Sequence, residues 1–281
     1  MIVVIMEAKI DANTILENQY IGTPKIRNGL ISKVVSREIS ASETLKRSLL
    51  FGRYENLTFQ TLKELTSKHY QSWNFDYHTY YEFGTGHGRS LKKYLIALRR
   101  ICAYKHLNIE DFNIVLFDSF QGLPDLQQTE KELNPAWSKG LFNQPKNYIE
   151  SIINQTLGRK KPNIKFVEGF YDSSLTESLR EELKINPPSF VNVDVDLYSS
   201  TKVVLDWLKP ILQNGTIFHF DDVFEYLGNP FMGELAAIKE FNDINTSEGA
   251  IVPFKNFGIR GFEGKIFTFA RIPAKPFSKN I

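Results

Sequence analysis

Two short apolar runs, each followed by a pair of aspartates, constrain this sequence more than any other feature. The runs cover residues 190–193 and 216–220, and turn-forming proline, asparagine and glycine precede them. Such runs are typical of strands that are covered on both faces of a sheet. The acids that follow are Asp194 and Asp196 after the first run and Asp221 and Asp222 after the second. Because ligands bind beyond the carboxyl ends of parallel strands, we expect these four carboxylates to converge at one crevice.

Clustered carboxylates repel one another, so they hold a cation between them or raise the pKa of one member. Mg²⁺ prefers oxygen ligands and keeps several waters, which leaves coordination positions for substrate oxygens. A second interpretation stays open, in which Asp196 caps the following helix and Asp221 or Asp222 occupies a turn. Two acidic pairs at equivalent strand ends favour the metal site.

A glycine-rich turn, formed by Gly84, Gly86 and Gly88, follows a third apolar run at residues 80–83. A helix is predicted to begin near Arg89, because apolar residues then recur at helical spacing. Residues without side chains let backbone N–H groups and the helix N-terminus approach a ligand closely. The order strand, glycine turn, helix therefore predicts the first unit of a nucleotide-binding fold. The alternative is a tight turn that binds no ligand.

A fourth strand is predicted over residues 113–117, and it ends in Asp118 and Ser119. In dinucleotide-binding folds an acid at the end of the second strand accepts hydrogen bonds from ribose hydroxyls. We therefore expect Asp118 to contact the ribose of an adenosine group.

Composition gives little information about partners. The 281 residues include 34 basic and 32 acidic side chains, and this near balance provides no strong electrostatic attraction to nucleic acid or to an anionic membrane. Cys102 is the only cysteine, so no intrachain disulfide is expected. The apolar opening is too short for a membrane span and lacks the features of a signal peptide. We expect a cytoplasmic protein.

Specific stretches of the sequence resemble known families. The E-x-G-x-G-x-G pattern at Glu82 to Gly88 resembles the first motif of class I S-adenosylmethionine-dependent methyltransferases. The stretches FDSFQGLPD, DVDLYSST and FDDV, taken in order, are similar to the macrocin O-methyltransferase family, whose members methylate sugar hydroxyls of natural products with a bound Mg²⁺. GRYENL and GFYDSSL fit the same pattern, so the resemblance covers about residues 50 to 245.

The resemblance implies a Rossmann-like class I methyltransferase fold: a mostly parallel seven-stranded sheet, helices on both faces and a terminal antiparallel strand. It further implies that S-adenosylmethionine and Mg²⁺, or another divalent cation, are the cofactors and that a small-molecule hydroxyl acceptor, expected to be a sugar, is the substrate. The implied methionine-end contacts are Glu82, Gly84 and Gly86. The implied ribose and adenine contacts are Asp118, Ser119 and Phe120. The implied metal ligands are Asp194, Asp221 and Asp222, with Asp196 as the general base.

Other functions stay open at this stage. A catechol-type O-methyltransferase would use the same metal with a flat acceptor, and an NAD(P)-binding Rossmann enzyme would use another cofactor. A non-enzymatic binding module is hard to reconcile with four clustered acids, and a nucleic-acid methyltransferase would need a basic, aromatic groove.

Further structural predictions cover the rest of the chain. Residues 1–50 are expected to form an arm, a lid or an oligomerisation segment, and 51–281 the methyltransferase domain. The long polar insertion 124–145 is expected to close over the acceptor. His87 is interpreted as a loop residue and His219 as a packed, hydrogen-bonded histidine. Helices are predicted over 42–51, 55–70, 172–183 and 232–241, a strand over 163–167, and a terminal antiparallel pair over 251–254 and 265–270.

Overall fold

The computed structural model describes residues 53–245, 247–254 and 265–272. The predicted N-terminal segment 1–50, its helix 42–51 and the tail after Pro273 lie outside these residues. Among the helices of the described ranges, none combines the length and the apolar character that a membrane crossing requires.

Seven strands form one sheet in the order β3-β2-β1-β4-β5-β7-β6. The strands are β1 Thr79–Phe83, β2 Asn113–Asp118, β3 Asn163–Glu168, β4 Phe190–Val193, β5 Ile217–Phe220, β6 Gly249–Pro253 and β7 Ile266–Arg271. The first five pair in parallel, whereas β7 runs antiparallel to both β5 and β6. This sheet confirms the predicted strands and the terminal antiparallel pair.

Helices connect and cover these strands. They are α1 Arg53–Leu65, α2 Lys68–Ser72, α3 Arg89–Lys105, α4 Gln128–Leu133, α5 Lys146–Thr156, α6 Tyr171–Ser174, α7 Glu177–Leu183, α8 Tyr198–Leu208 and α9 Gly233–Ile244, with short 3₁₀ turns at Ile109–Asp111 and Lys209–Ile211. Two predicted helices are each broken in two. Ser67 caps α2 through the N–H of Tyr70, and Thr176 caps α7 through the N–H of Leu179. Each hydroxyl starts a new helix where the sequence predicted a continuous one.

Side chains of the central strands alternate between two hydrophobic layers. Tyr81 and Phe83 of β1 pack into the layer that also contains residues of α8 and α9, whereas Tyr80 points into the layer that contains residues of α1 and α3. Both layers are closely packed with aromatic rings. The rings of Phe83 and Phe117, for example, stack with centroids 4.3 Å apart. Helices on both faces explain why the central strands are apolar throughout.

A row of buried polar residues interrupts the layer on the α3 side. Glu82, Asn192 and His219 lie side by side on β1, β4 and β5, since the register pairs Glu82 with Asn192 and Asn192 with His219. Nδ1 of His219 lies 2.8 Å from the side-chain oxygen of Asn192, and the Tyr80 hydroxyl donates to Glu82 at 2.6 Å. His219 is therefore the packed, hydrogen-bonded residue that the sequence predicted.

The same register sets the level at which the three strands end. Phe83, Val193 and Phe220 are paired neighbours, so the segments that begin with Gly84, Asp194 and Asp221 leave the sheet at one height. Gly84 has a φ of +79°, and a Cβ placed on it would lie 1.8 Å from the carbonyl oxygen of Asp194. Glycine is required here by both the backbone conformation and the close approach of the next strand.

A Gly84→Ala variant should lose about 2 to 4 kcal/mol of unfolding free energy, from overpacking against β4 and from the positive φ. Gly86 is the matched control: it has a φ of +42°, but a Cβ there would meet no atom within 4 Å. Gly86→Ala should lose only about 1 kcal/mol. Urea unfolding measures both, and equal losses in the two variants would contradict the importance of the close contact.

Candidate active site

Three aspartates from the ends of β4 and β5 form a compact acidic cluster. One carboxylate oxygen from each of Asp194, Asp221 and Asp222 lies within 4.8 Å of those of the other two. All three side chains are partly buried. The donors are oxygens alone, the set that hard divalent cations prefer. The structure thus brings together the three residues that the sequence predicted as metal ligands.

Burial and mutual repulsion raise the pKa values of two carboxyl groups in the cluster. Burial, followed by repulsion from Asp221 and Asp222, raises the pKa of Asp194 well above its ordinary value. Burial and the neighbouring Asp221 raise the pKa of Asp222 to about 6. Within the described residues, Oδ2 of Asp222 is buried and has no hydrogen-bond partner. A divalent cation would relieve this repulsion and satisfy that oxygen, so these residues fit a metal site.

Two charged residues that the sequence analysis overlooked contact the cluster. The ammonium group of Lys265 lies 3.1 Å from Oδ1 of Asp221 and also donates to the Asp221 carbonyl oxygen. Glu234, at the start of α9, is buried and accepts a hydrogen bond of 2.8 Å from the backbone N–H of Asp222. Burial and the nearby Asp222 raise the pKa of Glu234 well above its ordinary value. Neither residue stands in a motif, so only the tertiary structure reveals them.

Asp196 lies beside this cluster in an unusual backbone conformation. Its φ is +61°, and the N–H of Leu197 donates to the carbonyl oxygen of Val195 at 2.6 Å. The turn therefore closes over three residues with Asp196 at its centre. Burial, followed by repulsion from Asp222 and Asp221, raises the pKa of Asp196 to about 7. A carboxyl group of this kind can accept a proton near neutral pH.

The glycine-rich turn is organised by Asp118. Oδ2 of Asp118 accepts hydrogen bonds from the backbone N–H of Thr85 at 2.7 Å, from the Thr85 hydroxyl at 2.8 Å and from the N–H of Gly86 at 3.2 Å. Oδ1 accepts one, from the N–H of Phe120 at 2.7 Å. A carboxylate oxygen has more than one acceptor site, so Oδ1 can take a further hydroxyl donor from a ligand. Asp118 thus shapes the turn and retains acceptor capacity toward the cavity.

A cavity of about 500 Å³ joins the glycine turn to the acidic cluster. Its walls include these predicted site residues: Gly84, Gly86, Asp118, Ser119, Asp194 and Asp196. Four other predicted site residues are not among its lining residues: Glu82, Phe120, Asp221 and Asp222. Glu82 is fully buried in the polar row, where burial raises its pKa to about 8, and Phe120 packs against Phe166. Their strand and turn positions turn both side chains into the interior, and their role as cofactor contacts stays a prediction.

The insertion 124–145 forms another wall of the cavity. It contains α4, and its N-terminal part pairs with its C-terminal part through the backbone bonds of Leu123, Gly140 and Leu141. Leu123 and Leu126 form a small hydrophobic cluster with Leu197, against which Trp137 and Leu141 pack. Pro124, Asp125, Gln127, Lys139 and Phe142 line the cavity. The insertion is a folded part of the site.

The sheet order and the position of this cavity define the class I methyltransferase fold, and solved structures of that class are similar. CalS11, a calicheamicin methyltransferase, is 22% identical over 79% of this chain and 84% of its own, with a TM-score of 0.51. The O-methyltransferase NovP is 17% identical over 79% of this chain and 80% of its own, with a TM-score of 0.55. At these identities the likeness shows the fold. No curated protein matches the chain.

The family follows from a sequence comparison. The family model described as macrocin O-methyltransferase (TylF) matches residues 96–250, more than half of the chain. This chain belongs to that family and is an S-adenosylmethionine-dependent O-methyltransferase. The matched range contains all four aspartates of the site and Asp118. It begins after the glycine-rich turn, so the family match does not cover Gly84 and Gly86, and their assignment to the site is based on the structure alone.

The raised pKa of Asp222 predicts a pH-dependent penalty in the metal-free protein. Because its folded pKa of about 6 exceeds its ordinary value of 3.8, the folded state binds more protons between these values. The unfolding free energy therefore falls as pH rises through this window. Asp222→Asn should remove the penalty, so in EDTA the variant should gain about 1 to 2 kcal/mol relative to wild type between pH 4 and pH 7.5.

Urea unfolding at both pH values measures this difference between variant and wild type. Asp206→Asn, which removes an exposed carboxylate on α8, is the control. A pH-independent difference for Asp222→Asn would contradict the proposed crowding.

Proposed function

We propose that this enzyme methylates a hydroxyl group of a sugar or other small natural-product acceptor, with a divalent cation held by Asp194, Asp221 and Asp222. The observation that carries the proposal is the cluster itself: three carboxylates within 4.8 Å of one another, beside a fourth whose pKa is raised to about 7. Asp194 and Asp196 line one cavity with the glycine turn, and Asp221 and Asp222 adjoin Asp194 in the cluster.

One part of this cavity is proposed to bind the methyl donor. S-adenosylmethionine supplies an electrophilic methyl group on a sulfonium. The turn at Gly84 and Gly86 would hold the methionine end of this cofactor, Oδ1 of Asp118 would accept a ribose hydroxyl, and Ser119 would contact the adenine; Gly84, Gly86, Asp118 and Ser119 all line the cavity. Placing the donor and the acceptor in one cavity supplies orientation, which accounts for much of the catalysis of a displacement reaction.

The acceptor hydroxyl must lose its proton as the methyl group arrives. A divalent cation bound to the cluster would lower the pKa of that hydroxyl and orient its oxygen. Asp196 is the proposed proton acceptor, because it lies beside the cluster and the cation would already have lowered the pKa of the hydroxyl. Asp194, Asp221 and Asp222 would hold the cation and would take no part in proton transfer.

The acceptor class rests on the family and on the chemistry of the site. The family is named for methylation of macrocin, and CalS11 is a calicheamicin methyltransferase, so both concern natural products. A cluster that binds one cation with open positions suits two vicinal hydroxyls, a feature of sugars. The cavity is bounded by polar side chains such as Asp125, Gln127 and Lys139, which can hydrogen-bond to further hydroxyls.

Asp196→Asn should leave the affinity for S-adenosylhomocysteine and for Mn²⁺ within about twofold of wild type, because Asp196 is not among the proposed ligands. Turnover should fall by about 10² to 10⁴, the usual contribution of a general base. Calorimetry and a methyl-transfer assay on a panel of glycosides measure these quantities, with Asp206→Asn as the exposed control. An unchanged rate would exclude Asp196 as the base.

Removal of divalent cations should abolish methyl transfer, and Mg²⁺ or Mn²⁺ should restore it. The assay uses the panel of glycosides and a catechol in parallel, because a catechol-type enzyme would turn over the flat acceptor in preference. Asp221→Asn should weaken Mn²⁺ binding by at least about tenfold, through loss of one charged ligand. Full activity in EDTA would contradict the role of the cation.

A further inference from the structure

Glu130 is a buried carboxylate that has no role in the proposed reaction. It lies on α4 in the insertion and is only 5% exposed. Oε2 accepts a hydrogen bond of 2.9 Å from the backbone N–H of Gln127, and Oε1 accepts one of 3.0 Å from the backbone N–H of Ser199. One side chain therefore joins two segments that are far apart in the sequence. A buried carboxylate without such partners would be strongly destabilising.

Both partners of Glu130 belong to the cavity wall. Gln127 lines the cavity from the insertion, and Ser199 lines it from the first turn of α8. The N-cap of α8, Leu197, makes no side-chain capping bond. Glu130 thus caps α8 from another segment: it satisfies an N–H that has no partner within the helix and places a negative charge at the positive end of the helix.

The turn that α8 follows is the one that carries Asp196. A non-glycine residue in the left-handed region costs about 1 kcal/mol, so the surroundings must hold Asp196 at a φ of +61°. Two contacts on the C-terminal side of the turn do so. Leu197 is 1% exposed and packs with Leu126 of the insertion and with Leu123 just before it, and the N–H of Ser199 donates to Glu130.

The insertion has a second tie to the site. The side-chain amide of Asn134, at the end of α4, donates to the hydroxyl of Tyr226 in the loop that follows Asp222. The insertion therefore contacts the segment after each of the two acidic strands, and Glu130 is its buried anchor on the side of Asp196.

We propose that Glu130 is a positioning residue, which fixes the turn of Asp196 by holding the N-terminus of α8 against the insertion. This inference rests on the proposed function, since it assigns Glu130 to the placement of the proposed base. Glu130 itself does not line the cavity, so it acts through Ser199 and the turn before it.

Glu130→Gln is the decisive variant, because a glutamine retains the shape but has only one acceptor oxygen for the two N–H groups. Glu132→Gln is the matched control: Glu132 lies on the same helix, is exposed, and contacts the Gln128 side chain. Hydrogen exchange read by mass spectrometry should show faster exchange at Gln127 or Ser199 in Glu130→Gln alone, with unchanged exchange in β1 and β2.

Kinetics then separate positioning from general support of the fold. Glu130→Gln should lower kcat by about tenfold to a hundredfold, as expected for a misplaced catalytic group, while KM for S-adenosylmethionine stays within about twofold. In the Asp196→Asn background the same change should cost no further activity, because the group it positions is already absent. Glu132→Gln should behave as wild type in every assay.

Unchanged exchange at both N–H groups would overturn the proposal. It would also be overturned if Glu130→Gln lowered kcat by the same factor in the Asp196→Asn background as in the wild type. Failure of the proposed function would look different: wild type itself would transfer no methyl group to any glycoside. The exchange measurement needs no turnover, so it tests the hydrogen bonds from Gln127 and Ser199 to Glu130 even if the proposed function is wrong.

Discussion

The parallel register of β1, β4 and β5 is the constraint on which the rest of this structure depends. Phe83, Val193 and Phe220 are paired across the three strands, so the chain segments that follow them leave the sheet at the same level. Close approach of Gly84 to the Asp194 carbonyl lets the glycine turn lie directly beside the acidic cluster. A shift of one residue in any of these strands would point the aspartates to the opposite face and separate the two halves of the cavity.

The acidic cluster is locally destabilising, because its three carboxylates repel one another. The hydrophobic layers on both faces hold the strands, and that rigid frame forces Asp194, Asp221 and Asp222 together although they repel one another. Lys265 offsets part of the charge, and Glu234 accepts a hydrogen bond from the backbone N–H of Asp222. Sites of this kind keep their geometry because packing elsewhere determines it.

The insertion between β2 and α5 connects to both acidic segments. Its small hydrophobic cluster with Leu197 and its carboxylate Glu130 contact the segment after β4, and Asn134 contacts the loop after β5. If the proposed function holds, this segment would link acceptor binding to the placement of Asp196. Its contacts with both acidic segments explain why a long polar stretch is folded and partly buried.

The sequence by itself determined the strands, the glycine turn and the four aspartates, because apolar runs that end in turn residues or acids reflect local preferences and burial. It also placed Asp118 at the end of the second strand and identified the family through FDSFQGLPD, DVDLYSST and FDDV, whereas the hydrogen bonds from Asp118 to the glycine turn came only from the structure. It misjudged the helices over 55–70 and 172–183, where Ser67 and Thr176 start new helices, and it had no signal for Glu130, Glu234 or Lys265. Only the tertiary structure assigned these residues, since no periodicity or motif encodes contacts such as that of Glu130 with Ser199 or of Lys265 with Asp221, which depend on sheet register and packing.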